Sequence, residues 1–266
     1  TTAGSTVAST TTKFTTSQDV LAGGAGDDLF NGVLIKSGDT GTTVAPGDQV
    51  DGGAGTDTLS QLAGSYTPAA DSNLVAVEIV TSAVTGALDL SSQTDGFTIT
   101  GGANVQTITG STGVDTISGG AGNDIIVISN TAANNGLDLF ADFAAGDVLK
   151  VKTSVFALED DGSDDAYTNA AKEYDEMADA VGDLSGKLDA KTDIVVLTNT
   201  TGFTLANLVT SLDGKAAGDA MIVFFDSSDS KVKLAYDNDL NDATEAVVVG
   251  IFSNMAAAGI AGAFAE

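Results

Sequence analysis

From Ala83 to Val127 the sequence divides into five consecutive nonapeptides: AVTGALDLS, SQTDGFTIT, GGANVQTIT, GSTGVDTIS and GGAGNDIIV. Their eighth residues are Leu90, Ile99, Ile108, Ile117 and Ile126, a large aliphatic every time. A repeat this short cannot bury an apolar face alone, so it must stack on copies of itself. In the central three repeats the aliphatic is flanked by Thr98 and Thr100, Thr107 and Thr109, Thr116 and Ser118. Such a triplet reads as a strand with its middle residue turned inward and its flanks outward. The Gly-rich hexapeptide before it supplies a turn, because glycine tolerates positive φ. The expected object is a flattened parallel solenoid with nine residues per half-coil, each strand pairing with the one 18 residues away.

The same signature recurs upstream. GGAGDDLFN spans 23–31 after Asp19-Val20-Leu21, and GGAGTDTLS spans 52–60 after Asp48-Gln49-Val50. The expected organisation is a linker over 1–18, a solenoid over 19–151 with an inserted loop near 32–47, and a mixed, mainly β segment over 152–266. The Thr/Ser-rich start reads as a linker or a boundary within a longer protein. Leu74–Val84 reads as one buried strand. A helix is expected near Asp164–Val181, where Tyr167, Ala171, Tyr174 and Ala178 fall at helical spacing. A strand is expected at Asp193–Leu197, a short helix at Leu205–Leu212, and an antiparallel set at Ala220–Phe225, Lys231–Tyr236 and Ala246–Phe252. The small apolar tail, Met255–Glu266, reads as poorly ordered. The fold class is therefore all-β dominated: a parallel β-roll or β-solenoid, then a mainly β segment with one or two short helices.

The chemistry lies in the turn. Calcium takes six to eight oxygens at roughly 2.3–2.6 Å. A Gly-rich turn bends consecutive carbonyls toward one point, and an Asp at the sixth position adds a carboxylate. Two turns stacked on one edge then form a cage that staples neighbouring coils. Composition agrees, with 37 acidic residues against 10 basic ones, all lysine, and a formal charge of −27. Self-repulsion of that size opposes compaction, and bound divalent cations relieve it. A mean hydropathy of +0.17 fits a folded chain rather than an acidic tail.

The residues expected to hold Ca²⁺ are the sixth-position acids Asp28, Asp57, Asp115 and Asp124, with Asp19 and Asp48 in the half-repeats. Turn carbonyls are expected from Gly23, Ala25, Gly52, Ala54, Gly110, Gly119 and Ala121. Asp138 and Asp142 are expected from the closing segment GLDLFADFAAGDVLKV. One departure stands out: the turn paired with Gly119–Asp124 carries Asn104 and Gln106 where Gly and Asp belong. A few ions are expected, not a long row. Asp237–Asp242 alternates oxygen ligands but reads better as a hairpin turn, Glu159–Asp165 as a solvated helix start, and Asp226–Lys231 as a plain turn.

Residues 19–31, 48–60 and 110–127 resemble the RTX family of type I-secreted bacterial proteins, whose GGxGxDxUx repeat binds calcium. The Thr/Ala/Val-rich, Cys-free flanks resemble the C-terminal region of RTX-type surface-layer proteins of the Caulobacter kind, and LDLFADFAAGDVLKV is similar to the closure that follows RTX repeats. The resemblance implies one-step export through a type I exporter, using an uncleaved signal within Thr192–Glu266. It also implies folding delayed until external calcium is met, and calcium-mediated contacts between subunits.

Three functions follow: a self-assembling surface-layer protein, an RTX adhesin or matrix protein, or the secretion module of an enzyme whose catalytic domain lies elsewhere. The first is favoured by the Thr- and Ala-rich, Cys-free composition. Expected partners are other copies of the chain, the exporter, and a cell-surface polysaccharide reached through a region outside this sequence. Catalysis is not expected, because the absence of His and Cys removes zinc sites, thiol chemistry and Ser-His-Asp triads. The charge disfavours nucleic acid, and no run of about 18 apolar residues spans a bilayer. The expected location is the extracellular cell surface. An ice-binding face is not favoured, since only two Thr-x-Thr rows share a face.

Overall fold

β-Branched residues on either side of an aliphatic suit a pleated surface with one buried face, so each repeat triplet forms a short strand. The computed structural model describes residues 11–13, 18–32, 44–61, 64–82, 86–128, 137–151, 167–168, 176–178, 194–198, 202–212, 220–237 and 246–264. Successive strands alternate between sheets, which is the winding of a solenoid. One sheet takes β1 (Thr11–Lys13), β3 (Leu29–Gly32), β5 (Thr58–Gln61), β7 (Ile79–Ser82), β9 (Thr98–Thr100), β11 (Thr116–Ser118) and β13 (Asp138–Phe140) in parallel order. Two further sheets take the alternate strands. The first holds β2 (Val20–Ala25), β4 (Gln49–Ala54) and β6 (Leu74–Val75). The second holds β8 (Gly86–Asp89), β10 (Gln106–Thr109), β12 (Ile125–Ile128), β14 (Val148–Val151) and β15 (Tyr167–Thr168).

The 18-residue spacing is real where the repeat is cleanest: Ile99 pairs with Ile117, and Ile108 with Ile126. The inward residues stack in register. Phe30, Leu59, Val80, Ile99, Ile117 and Phe140 form one buried row. Leu88, Ile108, Ile126 and Leu149 form another, and both rows belong to one core. Leu29 and Thr58 pair 29 residues apart, eleven beyond the repeat. The expected loop near 32–47 absorbs that excess, and it falls largely on 33–43, outside the described residues.

Beyond β13 the first sheet runs on without a break. β13 pairs in parallel with β20 (Val247–Phe252), followed by β19 (Lys231–Asp237), β18 (Ala220–Asp226), β17 (Ile194–Leu197) and β16 (Glu176–Ala178). The antiparallel set formed by β18, β19 and β20 is as expected. Ala220–Phe224 in β18 is buried throughout, because both faces of the sheet are covered. One face joins the solenoid core. On the other, helix α1 (Leu205–Leu212) packs Leu208 and Leu212 against Val195, Ile222 and Phe224. The Asp226–Lys231 turn is a plain hairpin turn whose Lys233 reaches Asp226 at 2.8 Å and Asp229 at 2.9 Å.

Four expectations need correction. Leu74–Val84 is not one strand: the chain turns at Ala76, with φ of 49°, between β6 and β7. An apolar run with one acid in it reads alike whether it continues straight or crosses an edge. Leu88, not Leu90, stands opposite Ile108, at a spacing of 20, because Leu90 has left the strand for the turn at Ser91 and Ser92. The helix expected near Asp164–Val181 is interrupted by strand at Tyr167–Thr168 and Glu176–Ala178, where tertiary pairing with β14 and β17 overrides helical spacing; its other residues lie outside those described. The tail is not poorly ordered through Phe264. Helix α2 (Ile260–Phe264) buries Ile260 and Phe264, and Phe264 stacks on Phe143 and meets the edge of Phe252.

Candidate metal centre

Strands β2, β3, β4, β5, β7, β11, β12 and β14 each begin directly after an acid, and these side chains lie along the edges of the solenoid. Asp28, Asp48, Asp57, Asp115, Asp124 and Asp138 are all buried. One carboxylate oxygen of each sixth-position acid on a later coil accepts the amide of the coil before. The Asp28 amide donates to Asp57 Oδ1 at 2.7 Å, and the Asp57 amide to Glu78 Oε2 at 2.7 Å. The Phe97 amide donates to Asp115 Oδ1 at 2.7 Å, and the Asp115 amide to Asp138 Oδ1 at 2.9 Å. Along the other edge, amides of Asp19, Gln106 and Asp124 donate to Asp48, Asp124 and Asp147. Such charge-assisted bonds staple neighbouring coils.

The glycine at position one has a specific reason. The sixth-position side chain folds back over it, so an added Cβ would lie 2.3 Å from Asp28 Oδ2 at Gly23 and 2.5 Å from Asp57 Oδ2 at Gly52. At Gly110 and Gly119 the gaps to Asp115 and Asp124 would be 2.4 and 2.7 Å. Only a residue without Cβ leaves room for the carboxylate.

The second oxygens differ from turn to turn. Asp28 Oδ2 accepts the Gly24 amide, and Asp48 Oδ2 the Ala45 amide. Asp115 is closed by Ser111, whose amide and hydroxyl both donate to it. Asp57 Oδ2 and Asp124 Oδ2 are buried with no partner, as is Gln106 Oε1. In the last of these turns Gly120, at φ of 92°, gives its amide to Asp142 instead of Asp124. Asp142 also accepts the Gly119 amide at 2.9 Å and the Ser118 hydroxyl.

A buried carboxylate oxygen without a donor is expensive, and two of them fit a hard cation. Among the described residues no three Asp or Glu side chains gather as a ready cage. An ion here draws on carbonyls as well as carboxylates, which suits calcium. Ala121 lies in a turn as expected, but Gly23–Ala25 and Gly52–Ala54 belong to strands β2 and β4 rather than to turns. Parallel pairing of Gly24 with Gly53 and of Ala25 with Ala54 carries the strands into the glycine segment, and all three alanines are exposed. Two acids in the edge rows were not foreseen, Glu78 and Asp147. Both stand one residue before a strand, the placement that marks the repeat acids, and Asp147 even follows a positive-φ glycine, Gly146.

Burial raises the pKa of Asp115 to about 6 despite bonds from Phe97 and Ser111. Burial also raises Asp124, with the charges of Asp147 and Asp142 adding to the effect, and it raises Asp147. A carboxyl held above its unfolded value charges less readily in the fold. The native state then keeps protons the unfolded chain has released, and stability falls as pH rises from the unfolded to the folded pKa. For Asp115 alone the loss is on the order of 3 kcal/mol. Calcium-depleted chain should thus melt higher at about pH 4.5 than at about pH 7; a lower midpoint in acid contradicts the assignment.

A family profile describing the RTX calcium-binding nonapeptide repeat, in four copies, matches residues 15–32, 47–60 and 100–127. A comparison with curated proteins finds no match. Among the described residues no helix is long and apolar enough to cross a membrane.

Proposed function

Starting from a chain that carries RTX calcium-binding repeats, we propose that it is a structural protein of a bacterial cell surface, folding with calcium after type I export and assembling into a surface-layer lattice. The observation that carries this reading is the pair of buried, donorless carboxylate oxygens, Asp57 Oδ2 and Asp124 Oδ2, in a chain of charge −27. When bound, calcium supplies the positive charge and open coordination these oxygens lack. The chain's own residues do the rest: the amide–carboxylate rows fix coil spacing, and the apolar rows fill the interior. In the calcium-poor cytosol the uncompensated charges favour the unfolded chain that an exporter threads, with its signal in 192–266.

A structural rather than catalytic role is supported by the absence of His and Cys. Contacts between copies, and attachment to a surface polysaccharide through a region beyond this sequence, belong to the same proposal. Electron microscopy of the calcium-loaded protein tests it: a two-dimensional lattice that disperses on chelation is expected. Calcium-loaded protein that stays monomeric overturns the lattice and favours an RTX adhesin, or a module that exports another domain.

A further inference from the structure

The repeat turns are not equivalent, and their differences assign the ion. We infer that calcium is held in two gaps between coils, each completed by a residue outside the repeat signature: one between Asp57 and the Ala76–Glu78 turn, the other between Gln106 and the Gly119–Asp124 turn. The turn Gly110–Asp115 takes none. This rests on the calcium-dependent reading above and adds which turns bind.

In the first gap, the position a Cβ would take on Gly52 lies 1.9 Å from the Ala76 carbonyl oxygen and 2.5 Å from Asp57 Oδ2, so these oxygens are at most about 4.4 Å apart. Two ligands of one calcium ion span up to about 5 Å. Ala76 reaches this place only through its left-handed φ of 49°, which a β-carbon disfavours. The Glu78 carboxylate closes the same turn by accepting the Asp57 amide. Three residues here do the work of a Gly-rich hexapeptide.

In the second gap, the corresponding point on Gly101 lies 2.0 Å from the Gly119 carbonyl oxygen and 2.7 Å from Gln106 Oε1, a separation of at most about 4.7 Å. Gln106 is 2% exposed, and its Nε2 donates to the Ser82 carbonyl at 2.7 Å. That bond fixes the amide and turns Oε1 away from Ser82, without any donor for it. Asp124 is tied to the same gap, since its Oδ1 accepts the Gln106 amide, and its Oδ2 also lacks a donor. The Gln106 amide oxygen and the Gly119 carbonyl thus share this gap, while the second donorless oxygen, Asp124 Oδ2, lies over Gly119 of its own turn. An amide oxygen is a sound calcium ligand, but it brings no charge, so this site is the weaker one.

At Asp115 the demand is already met. Its oxygens accept the Phe97 amide, the Ser111 amide and the Ser111 hydroxyl, at 2.7, 2.7 and 3.1 Å. Ser111 stands where the other turns carry their second glycine, and its hydroxyl takes the place an ion would fill.

Calcium binding to the full chain by titration calorimetry, with bound metal counted after dialysis and folding checked by circular dichroism, tests the assignment. Asp57→Asn is expected to remove one bound ion, and Asp115→Asn none. Gln106→Asp should keep the count and tighten one site by about tenfold or more, since site charge sets affinity. Loss of an ion in Asp115→Asn, or no change of affinity in Gln106→Asp, overturns the inference. Should the asparagine variants not fold, the Gln106→Asp affinity decides alone. A wild-type chain that binds no calcium at millimolar concentration sinks the calcium reading itself, a different failure.

Discussion

Gly52→Ala is expected to lower stability by more than about 4 kcal/mol, at the severe end for a single methyl group. The added Cβ would meet the Ala76 carbonyl oxygen at 1.9 Å, Asp57 Oδ2 at 2.5 Å and Asp57 Cβ at 2.7 Å. The first is a backbone atom of the adjacent coil, so no rotamer change relieves it. Opening the gap would stretch the pairing of β4 with β6 and pull apart Val50 and Leu74, which are buried partners. On the assignment proposed above, calcium does not rescue the variant, because the displaced oxygens are the ligands it would need. Gly24 supplies the control: a Cβ there meets nothing within 4 Å, and Gly24→Ala should stay within about 1 kcal/mol of the parent. Urea unfolding at saturating calcium measures both. Equal midpoints for the two variants would remove the steric account of the first glycine.

The second large effect is expected at Phe252→Ala, about 4 kcal/mol. Phe252 extends the inward row past Phe140, its register partner, and its ring centroid lies 5.0 Å from Phe140, 5.1 Å from Phe143 and 5.6 Å from Phe264. It therefore joins the last solenoid coil, the closing segment and helix α2 in one aromatic cluster. Truncation opens a cavity where three elements meet, and none can close it without leaving its sheet or turn. Because solenoid and C-terminal strands share a sheet and a core, the whole melting transition should shift as one. Two separate transitions, with the solenoid one unmoved, would mean that the segment beyond Val151 folds on its own.

The repeats were readable because their logic is local. Position one must be Gly for the carboxylate to fold over it, position six must offer oxygens, and position eight must fill the core, so each requirement leaves a mark at fixed spacing. Glu78 went unread because its turn has only three residues, and a LVAVEIV run carries no punctuation at Ala76. Asp147 went unread because its Gly-Asp pair sits in a closing segment with no repeat around it. Tyr167 and Ala178 mislead for the opposite reason: helical spacing is visible in sequence, whereas pairing with other strands is not. The bonds from Ser111 to Asp115 were hidden too, since a serine at the second position looks like an ordinary substitution of glycine. Phe264 shows the same limit, for a small apolar tail gives no sign of the aromatic cluster that receives its final ring.

Circular dichroism of the calcium-depleted chain during return of Ca²⁺ tests the central claim most directly. The account predicts a cooperative, saturable gain of β signal, reversed by chelator, with an unfolding midpoint that rises with calcium concentration. An identical β spectrum and an identical midpoint with and without calcium would contradict it.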